Sequence, residues 1–173
     1  KAIGLNVILA QMGMYVAATD FRYCPYENIF TRISGEDNIF KGHSSFVVEM
    51  NELRSILKYS NHRSLVLGDE VCKGTEEESA RAIIASSVRR FSNKNVKFVL
   101  ATHLHKLHTL DIVTSLNNIR FMHLDIKYDD ILKEVIYGRK LQDGIGESVY
   151  GIEIAKFILD DNDFIKTSNQ IRN

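Results

Sequence analysis

Two adjacent acids follow a short apolar run in the middle of the chain. The run is Ser64–Gly68, and the acids are Asp69 and Glu70. A buried strand that ends in two carboxylates can hold a magnesium ion with one acid and orient or deprotonate water with the other, two tasks that phosphoryl transfer requires. The pattern is typical of the Walker B strand of an ATP hydrolase. The alternative is a strand that ends in two solvated acids.

Three further polar groups are placed to suit nucleotide chemistry. His103 follows the apolar run Phe98–Ala101 and could donate a hydrogen bond to a terminal phosphate oxygen, or it is a surface histidine that opens a helix. Ser44 follows Gly42 at a predicted helix start, where free N–H groups and hydroxyls attract anions, or it is an ordinary helix cap. Gln11 could reach a magnesium-bound water, or it is a polar residue on an exposed face.

Neither the histidines nor the cysteines predict a zinc site. His103, His105 and His108 are close in sequence, but they lack the HExxH pattern and have no clustered cysteines beside them. Cys24 and Cys72 form no CxxC pair, and two isolated cysteines do not indicate a disulfide framework. An intracellular location is therefore expected.

Apolar periodicity predicts the elements that would position these groups. Helices are predicted over residues 1–15, from Ser44 or Ser45 to about Tyr59, from a capping box formed by Thr75 and Glu78 to about Phe91, and over 148–159 and 163–171. Strands are predicted over residues 27–34, 64–69, 96–101, 119–128 and 131–139, with a polar loop at 35–43. Residues 64–101 read as strand, helix, strand, which predicts a parallel pair with a right-handed crossover. Ligands bind outside the carboxyl ends of such strands.

The same periodicity predicts which faces are buried. The buried stripes of the first three helices are predicted to be Leu5, Ile8, Leu9 and Met12; Phe46, Met50, Leu53 and Leu57; and Ala80, Ile83, Ile84, Val88 and Phe91. In the first strand of the late pair, Met122, Leu124, Ile126 and Tyr128 alternate with polar residues and predict one buried face.

Composition restricts the class of protein. The chain has 173 residues, enough for one domain, and 45% of them are hydrophobic and 25% charged. The 22 basic and 22 acidic residues cancel, which excludes a strongly basic nucleic-acid surface overall but leaves room for a local patch. No apolar run approaches the roughly 18 residues of a membrane span. The first residue is Lys1, so we expect a fragment of a longer protein.

Together these segments resemble the ATPase domain of MutS-type DNA mismatch-repair proteins, within the ABC-type ATPases. The resemblance runs in order over nearly the whole chain and is carried by Leu9–Gly13 with Val16–Ala18, Phe30–Ile33, Asp37, Gly42, Ser44–Phe46, Val48–Met50, Leu67–Glu70 with Gly74–Thr75, Ala101–His103, Ser148, Tyr150–Ile152 and Ala155. It implies an α/β P-loop NTPase fold, a three-layer sandwich around a mostly parallel sheet, that lacks its Walker A segment here.

The resemblance also implies a role for each site residue. Asp69 would hold Mg²⁺, Glu70 would activate water, and His103 would sense the γ-phosphate of ATP. Ser44 would reach the nucleotide of a partner subunit, and Thr75 would belong to the D-loop.

The same resemblance implies an assembly. Helices at about 148–172 would help to form a homodimer or heterodimer of MutS-like subunits. ATP state would control a clamp on mismatched double-stranded DNA, which other domains would contact, and no membrane is involved.

The chain departs from the family pattern in two places. The P-loop, GxxxxGK[ST], is absent, and Lys1 would fall shortly after it, so residues 1–173 alone are expected to bind ATP poorly and to be inactive. Glu76–Glu78 replaces small and polar residues, and Cys72 and Lys73 stand where glycine and arginine are usual, which indicates a divergent branch.

Two alternatives remain open. One is a non-hydrolysing structural or dimerisation module on an ABC-type fold. The other is an ABC-type DNA-repair ATPase of the SMC kind, although Ser44–Phe46 does not match the serine-glycine-glycine signature of that group.

Overall fold

A computed structural model of the chain describes residues 1–33, 45–129, 134–146, 150–159 and 161–172. The chain divides into two units, Lys1–Asn118 and Ile119–Asn173. The predicted loop at 35–43 lies outside the described residues.

The first unit alternates helices and strands, as the sequence predicts. In order its elements are α1 (Ala2–Gln11), β1 (Asn28–Ile33), α2 (Ser45–Tyr59), β2 (Ser64–Asp69), α3 (Glu77–Asn93), β3 (Lys97–Ala101), a short 3₁₀ helix (His105–Thr109) and α4 (Asp111–Thr114). The three strands form a parallel sheet in the order β1-β2-β3. The predicted parallel pair of β2 and β3 is confirmed, and the chain has a mixed α/β fold.

The central strand β2 carries a hydrophobic core on each side. Val66 packs with Phe91 of α3 and Ile56 of α2. Leu65 and Leu67 pack with Val7 of α1 and with residues that precede or open β1. Because side chains alternate across a strand, this division places α1 on one face of the sheet and α2 and α3 on the other.

The predicted stripe of α1 is wrong. The buried residues of α1 are Gly4 and Val7, whereas Leu5 is 59% exposed and Met12 lies beyond the end of the helix. Almost every position of α1 is apolar, so periodicity could not identify the inner face. Gly4 faces β2 closely: a Cβ there would lie 2.7 Å from Cδ1 of Leu67, so a larger residue would require that side chain to move.

The predicted stripes of α2 and α3 are confirmed. Ala80, Ile84, Val88 and Phe91 of α3 are buried, and Ile83 is half-buried. The predicted positions of α2 are half-buried around a buried Ile56. Lys94, just after α3, joins the two helices, since its ammonium group donates to the carbonyl oxygens of Leu57 at 2.7 Å and Ser60 at 3.2 Å. The cation thereby satisfies carbonyls that the end of α2 leaves without helical partners.

The start of α3 differs from the prediction. The N-cap is Glu76, not Thr75, and the hydroxyl of Ser79 donates to the carboxylate of Glu76. Glu77 and Glu78 lie in the first turn, where their charges favour the positive end of the helix dipole. The prediction of a capping box formed by Thr75 and Glu78 is therefore wrong, because Thr75 lies in the loop after β2.

The second unit contains an antiparallel hairpin and two helices. β4 (Met122–Asp129) pairs with β5 (Glu134–Asp143), and α5 (Tyr150–Leu159) and α6 (Asn162–Arg172) follow. The paired strands are confirmed, but their apolar face is not buried within the described residues, since Met122 is 45% and Leu124 is 54% exposed. Alternation separates the two faces of a strand without showing which one is covered. Among the described helices, none is long and apolar enough to cross a membrane.

Candidate nucleotide-hydrolysis site

The register of the sheet brings the predicted acids and His103 to one edge. Asp69, the last residue of β2, pairs with Ile33 of β1 and with Ala101 of β3. The backbone N–H of Glu70 then donates to the carbonyl of Ala101 at 3.0 Å. His103 lies two residues beyond β3 and is exposed. The parallel topology thus places Asp69, Glu70 and His103 at the carboxyl ends of neighbouring strands, as predicted.

Glu70 forms an ion pair with Lys73 in the same loop. Nζ of Lys73 lies 2.7 Å from Oε2 of Glu70. The hydrogen bond from Lys73 and its charge lower the pKa of Glu70, and the nearby His103 contributes in the same direction. The same hydrogen bond raises the pKa of Lys73. Glu70 therefore stays ionised to a lower pH than an ordinary glutamate.

A cavity of about 210 Å³ opens beside this loop. His103 and Leu104 line one side of it, and Thr75 and Lys73 line another. The structure thus brings together Thr75 and His103, which are far apart in sequence. The cavity has mixed polar and apolar walls, which suits a polar ligand in contact with an apolar group.

Two predicted site residues are not part of this cluster. The side-chain amide of Gln11 accepts from the N–H of Tyr26 at 2.8 Å and donates to the carbonyl of Tyr26 at 3.3 Å. Tyr26 lies just before β1, at the amino end of a strand, whereas Asp69 lies at the carboxyl end of its neighbour. The structure therefore does not bring Gln11 to the acids. Ser44 lies outside the described residues.

Sequence reasoning missed a buried acid behind the loop. Glu49 of α2 is only 4% exposed, and its Oε1 accepts a 2.8 Å hydrogen bond from the backbone N–H of Cys72. Nε of Arg32, on β1, lies 3.6 Å from Oε1 of Glu49 and 3.0 Å from Oε2 of Glu52. One signal was available: Glu49 lies three residues after Phe46 and four before Leu53, on the predicted apolar face of α2.

The site contains a donor that suits magnesium. Mg²⁺ usually keeps several waters and takes one or two carboxylates together with phosphate oxygens. Asp69, at the end of a buried strand and beside the cavity-bearing loop, is a ligand of that kind. Within the described residues, no group of three or more His, Cys, Asp and Glu side chains is arranged to hold a metal ion.

The parallel sheet carries an Asp-Glu pair and a histidine at the carboxyl ends of neighbouring strands, the edge where α/β domains bind their ligands. The family model for MutS domain V matches residues 1–173. The chain therefore belongs to the MutS family of DNA mismatch-repair proteins and corresponds to its domain V.

Curated relatives agree with this assignment. The chain is 46% identical to a putative DNA mismatch repair protein, a MutS homologue from Acanthamoeba polyphaga mimivirus, over 99% of the chain and 16% of the relative. It is 44% identical to a mitochondrial DNA mismatch repair protein MutS homologue from Sarcophyton glaucum, over 99% of the chain and 17% of the relative. It is 36% identical to DNA mismatch repair protein MutS from Finegoldia magna, over 90% of the chain and 18% of the relative. The chain spans less than a fifth of the length of these relatives.

Proposed function

We propose that this chain is the ATP-binding and ATP-hydrolysing domain of an intracellular MutS-like mismatch-repair protein. One observation carries the proposal: Asp69, Glu70 and His103 lie together at the carboxyl edge of two adjacent parallel strands. Membership of MutS domain V, a P-loop ATPase domain, supports the same chemistry. The proposed fold is correspondingly an ABC-ATPase-like three-layer sandwich, with helices on both faces of the sheet.

Each residue of this edge has a proposed task. Asp69 would hold Mg²⁺, which when bound supplies positive charge against the phosphate oxygens. Glu70, a carboxylate at the end of β2, would orient the attacking water and accept its proton. His103 would donate a hydrogen bond to a terminal phosphate oxygen. Thr75 lines the same cavity as His103 and, as part of the D-loop, would lie beside the bound nucleotide.

The complete site is proposed to need a second subunit. Ser44 would reach the nucleotide held by a partner MutS-like subunit, in a homodimer or a heterodimer. The described parts of residues 148–172 form α5 and α6, and these helices would contribute to dimer formation. The binding and hydrolysis of ATP would control a clamp on mismatched double-stranded DNA, and other domains would make the contacts with the DNA. That division agrees with the zero net charge of this chain.

The proposal is tested with Glu70→Gln in the full-length protein. We expect ATP affinity close to wild type and a hydrolysis rate about 100-fold lower or more, since a general base contributes about 10²- to 10⁴-fold. Glu78→Gln is the matched control, because it removes an exposed carboxylate from the first turn of α3. Binding is measured by calorimetry and turnover by phosphate release. Wild-type turnover in Glu70→Gln would remove Glu70 from the mechanism.

A further inference from the structure

The loop after β2 contains two residues in a conformation that side chains disfavour. Glu70 has φ of 50° and Cys72 has φ of 67°, and neither is glycine. A residue with a Cβ is disfavoured in the left-handed region, and it persists there only where surrounding contacts hold it. Only Val71 separates the two residues, so the direction of the Glu70 side chain depends on what holds this short segment.

Two contacts from different elements hold it. The N–H of Glu70 donates to Ala101 at the end of β3, at 3.0 Å. The N–H of Cys72 donates to Oε1 of Glu49 on α2, at 2.8 Å. Each left-handed residue thus has its amide tied to a neighbouring element. A hydrogen bond to a charged acceptor is among the stronger ones in proteins.

Glu49 is itself held in place. Its side chain is about 5% exposed, and a carboxylate in such a position requires a charged or hydrogen-bonding partner. Arg32 provides that partner from β1, with Nε 3.6 Å from Oε1 of Glu49; the same nitrogen lies 3.0 Å from Oε2 of the exposed Glu52. The chain of contacts therefore runs from β1 through Glu49 to the amide of Cys72.

We propose that Glu49 is a positioning residue for Glu70: by accepting the Cys72 N–H it fixes the left-handed loop that aims the Glu70 carboxylate. This inference rests on the proposed role of Glu70 in hydrolysis. Glu49 does not touch the reacting atoms, and it acts through the backbone of residues 70–72.

The test compares two substitutions of similar size in the full-length protein. Glu49→Gln keeps an oxygen that can accept the Cys72 N–H, and Glu49→Met removes the acceptor while filling the same space. We expect kcat for ATP hydrolysis to fall about 10- to 100-fold in Glu49→Met, because slight misplacement of a catalytic group can cost about 100-fold. KM for ATP should change less than about two-fold, since substrate binding is retained. Glu49→Gln should recover most of the lost kcat.

Glu52→Gln is the matched control. Glu52 contacts the same Arg32 but not the loop, so this variant is expected to keep near-wild-type kcat. Equal losses in Glu49→Gln and Glu49→Met would overturn the proposal, because they would show that charge, not the acceptor, matters. Wild-type kcat in Glu49→Met would also overturn it.

A second readout does not depend on ATP hydrolysis. The side chain of Cys72 is buried, with the residue 2% exposed, so release of the loop should expose its thiol. Alkylation of Cys72 followed by peptide mass spectrometry should be several-fold faster in Glu49→Met than in wild type, and unchanged in Glu52→Gln and Glu70→Gln. Unchanged alkylation in Glu49→Met would refute the loop contact. Normal turnover in Glu70→Gln would instead refute the proposed function.

Discussion

Nζ of Lys73 lies 2.7 Å from Oε2 of Glu70, so the proposed catalytic base is paired with a cation three residues further along its own loop. Both side chains are partly exposed, and the pair contributes little to folding stability. Its effect is on the ionisation of Glu70, since a nearby positive charge favours the carboxylate.

Lys73→Met is expected to raise the pKa of Glu70 towards the ordinary value of a glutamate. The hydrogen bond and charge of Lys73 are the main causes that lower it, so their loss shifts the titration to higher pH. The measurement is ¹³C NMR titration of the Glu70 side-chain carboxyl. Lys97→Met, at the opposite end of β3, is the matched control and should leave the Glu70 titration unchanged. An unshifted Glu70 titration in Lys73→Met would contradict the assignment.

Cys72→Gly is expected to be more stable than Cys72→Ala by about 1 kcal/mol. Both variants lose the sulfur, but alanine keeps a Cβ at φ of 67°, where glycine has no steric penalty. Hydrogen exchange of the β2 amides gives the local opening free energy that compares them. Equal protection in the two variants would show that the left-handed conformation carries no cost here.

The protein should lose stability between about pH 9 and pH 11 through Cys72. Burial, with the charge of Glu49, raises the pKa of this thiol from 9.0 to about 11 in the folded state. Below pH 9 both states keep the proton, so the contribution is fully present there. As pH rises towards 11, the unfolded chain releases the proton before the folded one, and the free energy of unfolding falls.

Urea unfolding at successive pH values measures this decline. Cys72→Ala should flatten the profile between pH 9 and pH 11. Cys24→Ser, which removes the exposed thiol, should leave the slope as it is in wild type. A slope that persists in Cys72→Ala would assign the decline to other groups.

Gly68→Ala is expected to destabilise the protein by about 1 to 3 kcal/mol, the usual range for overpacking. A Cβ at Gly68 would lie 2.6 Å from Cδ2 of Leu100 and 2.9 Å from Cγ2 of Val71, so both of these packed side chains would have to move. Gly151→Ala is the matched control: nothing lies within 4 Å of its Cβ position, and it should stabilise α5 by up to about 1 kcal/mol. Thermal unfolding should show a lower melting temperature for Gly68→Ala and a higher one for Gly151→Ala. An unchanged melting temperature in Gly68→Ala would contradict the close packing around Gly68.

The sequence predicted the sheet edge well because the relevant signals are local. Ser64–Gly68 is an uninterrupted buried run and α3 has a regular stripe, so Asp69 and Glu70 could be placed at a strand end and His103 one strand away. The inner face of α1 could not be predicted, since a helix that is apolar on nearly all sides has no distinctive face. In the structure Gly4 and Val7 face β2.

The contacts that Glu49 makes with the loop after β2 and with Arg32 could not be predicted in the same way. The local pattern places Glu49 on the predicted apolar face of α2 and Glu52 off it, but the partners of the buried Glu49 are set only when α2 is placed against β1 and the Cys72 loop. The position of Gln11 depends likewise on a tertiary contact, its two hydrogen bonds to Tyr26. Long-range partners of polar side chains are set by the assembled fold.

The parallel pairing of β1, β2 and β3 also affects how the chain reaches its native state. Each pair joins residues far apart in sequence, such as Asn28 with Ser64 and Leu65 with Lys97, so each must close a long loop before it gains a hydrogen bond. Folding of such sheets is slow, and their strands are exposed to aggregation in the meantime. Production of the folded protein should therefore benefit from slow synthesis at low temperature, because Asp69, Glu70 and His103 come together only after β2 and β3 have paired.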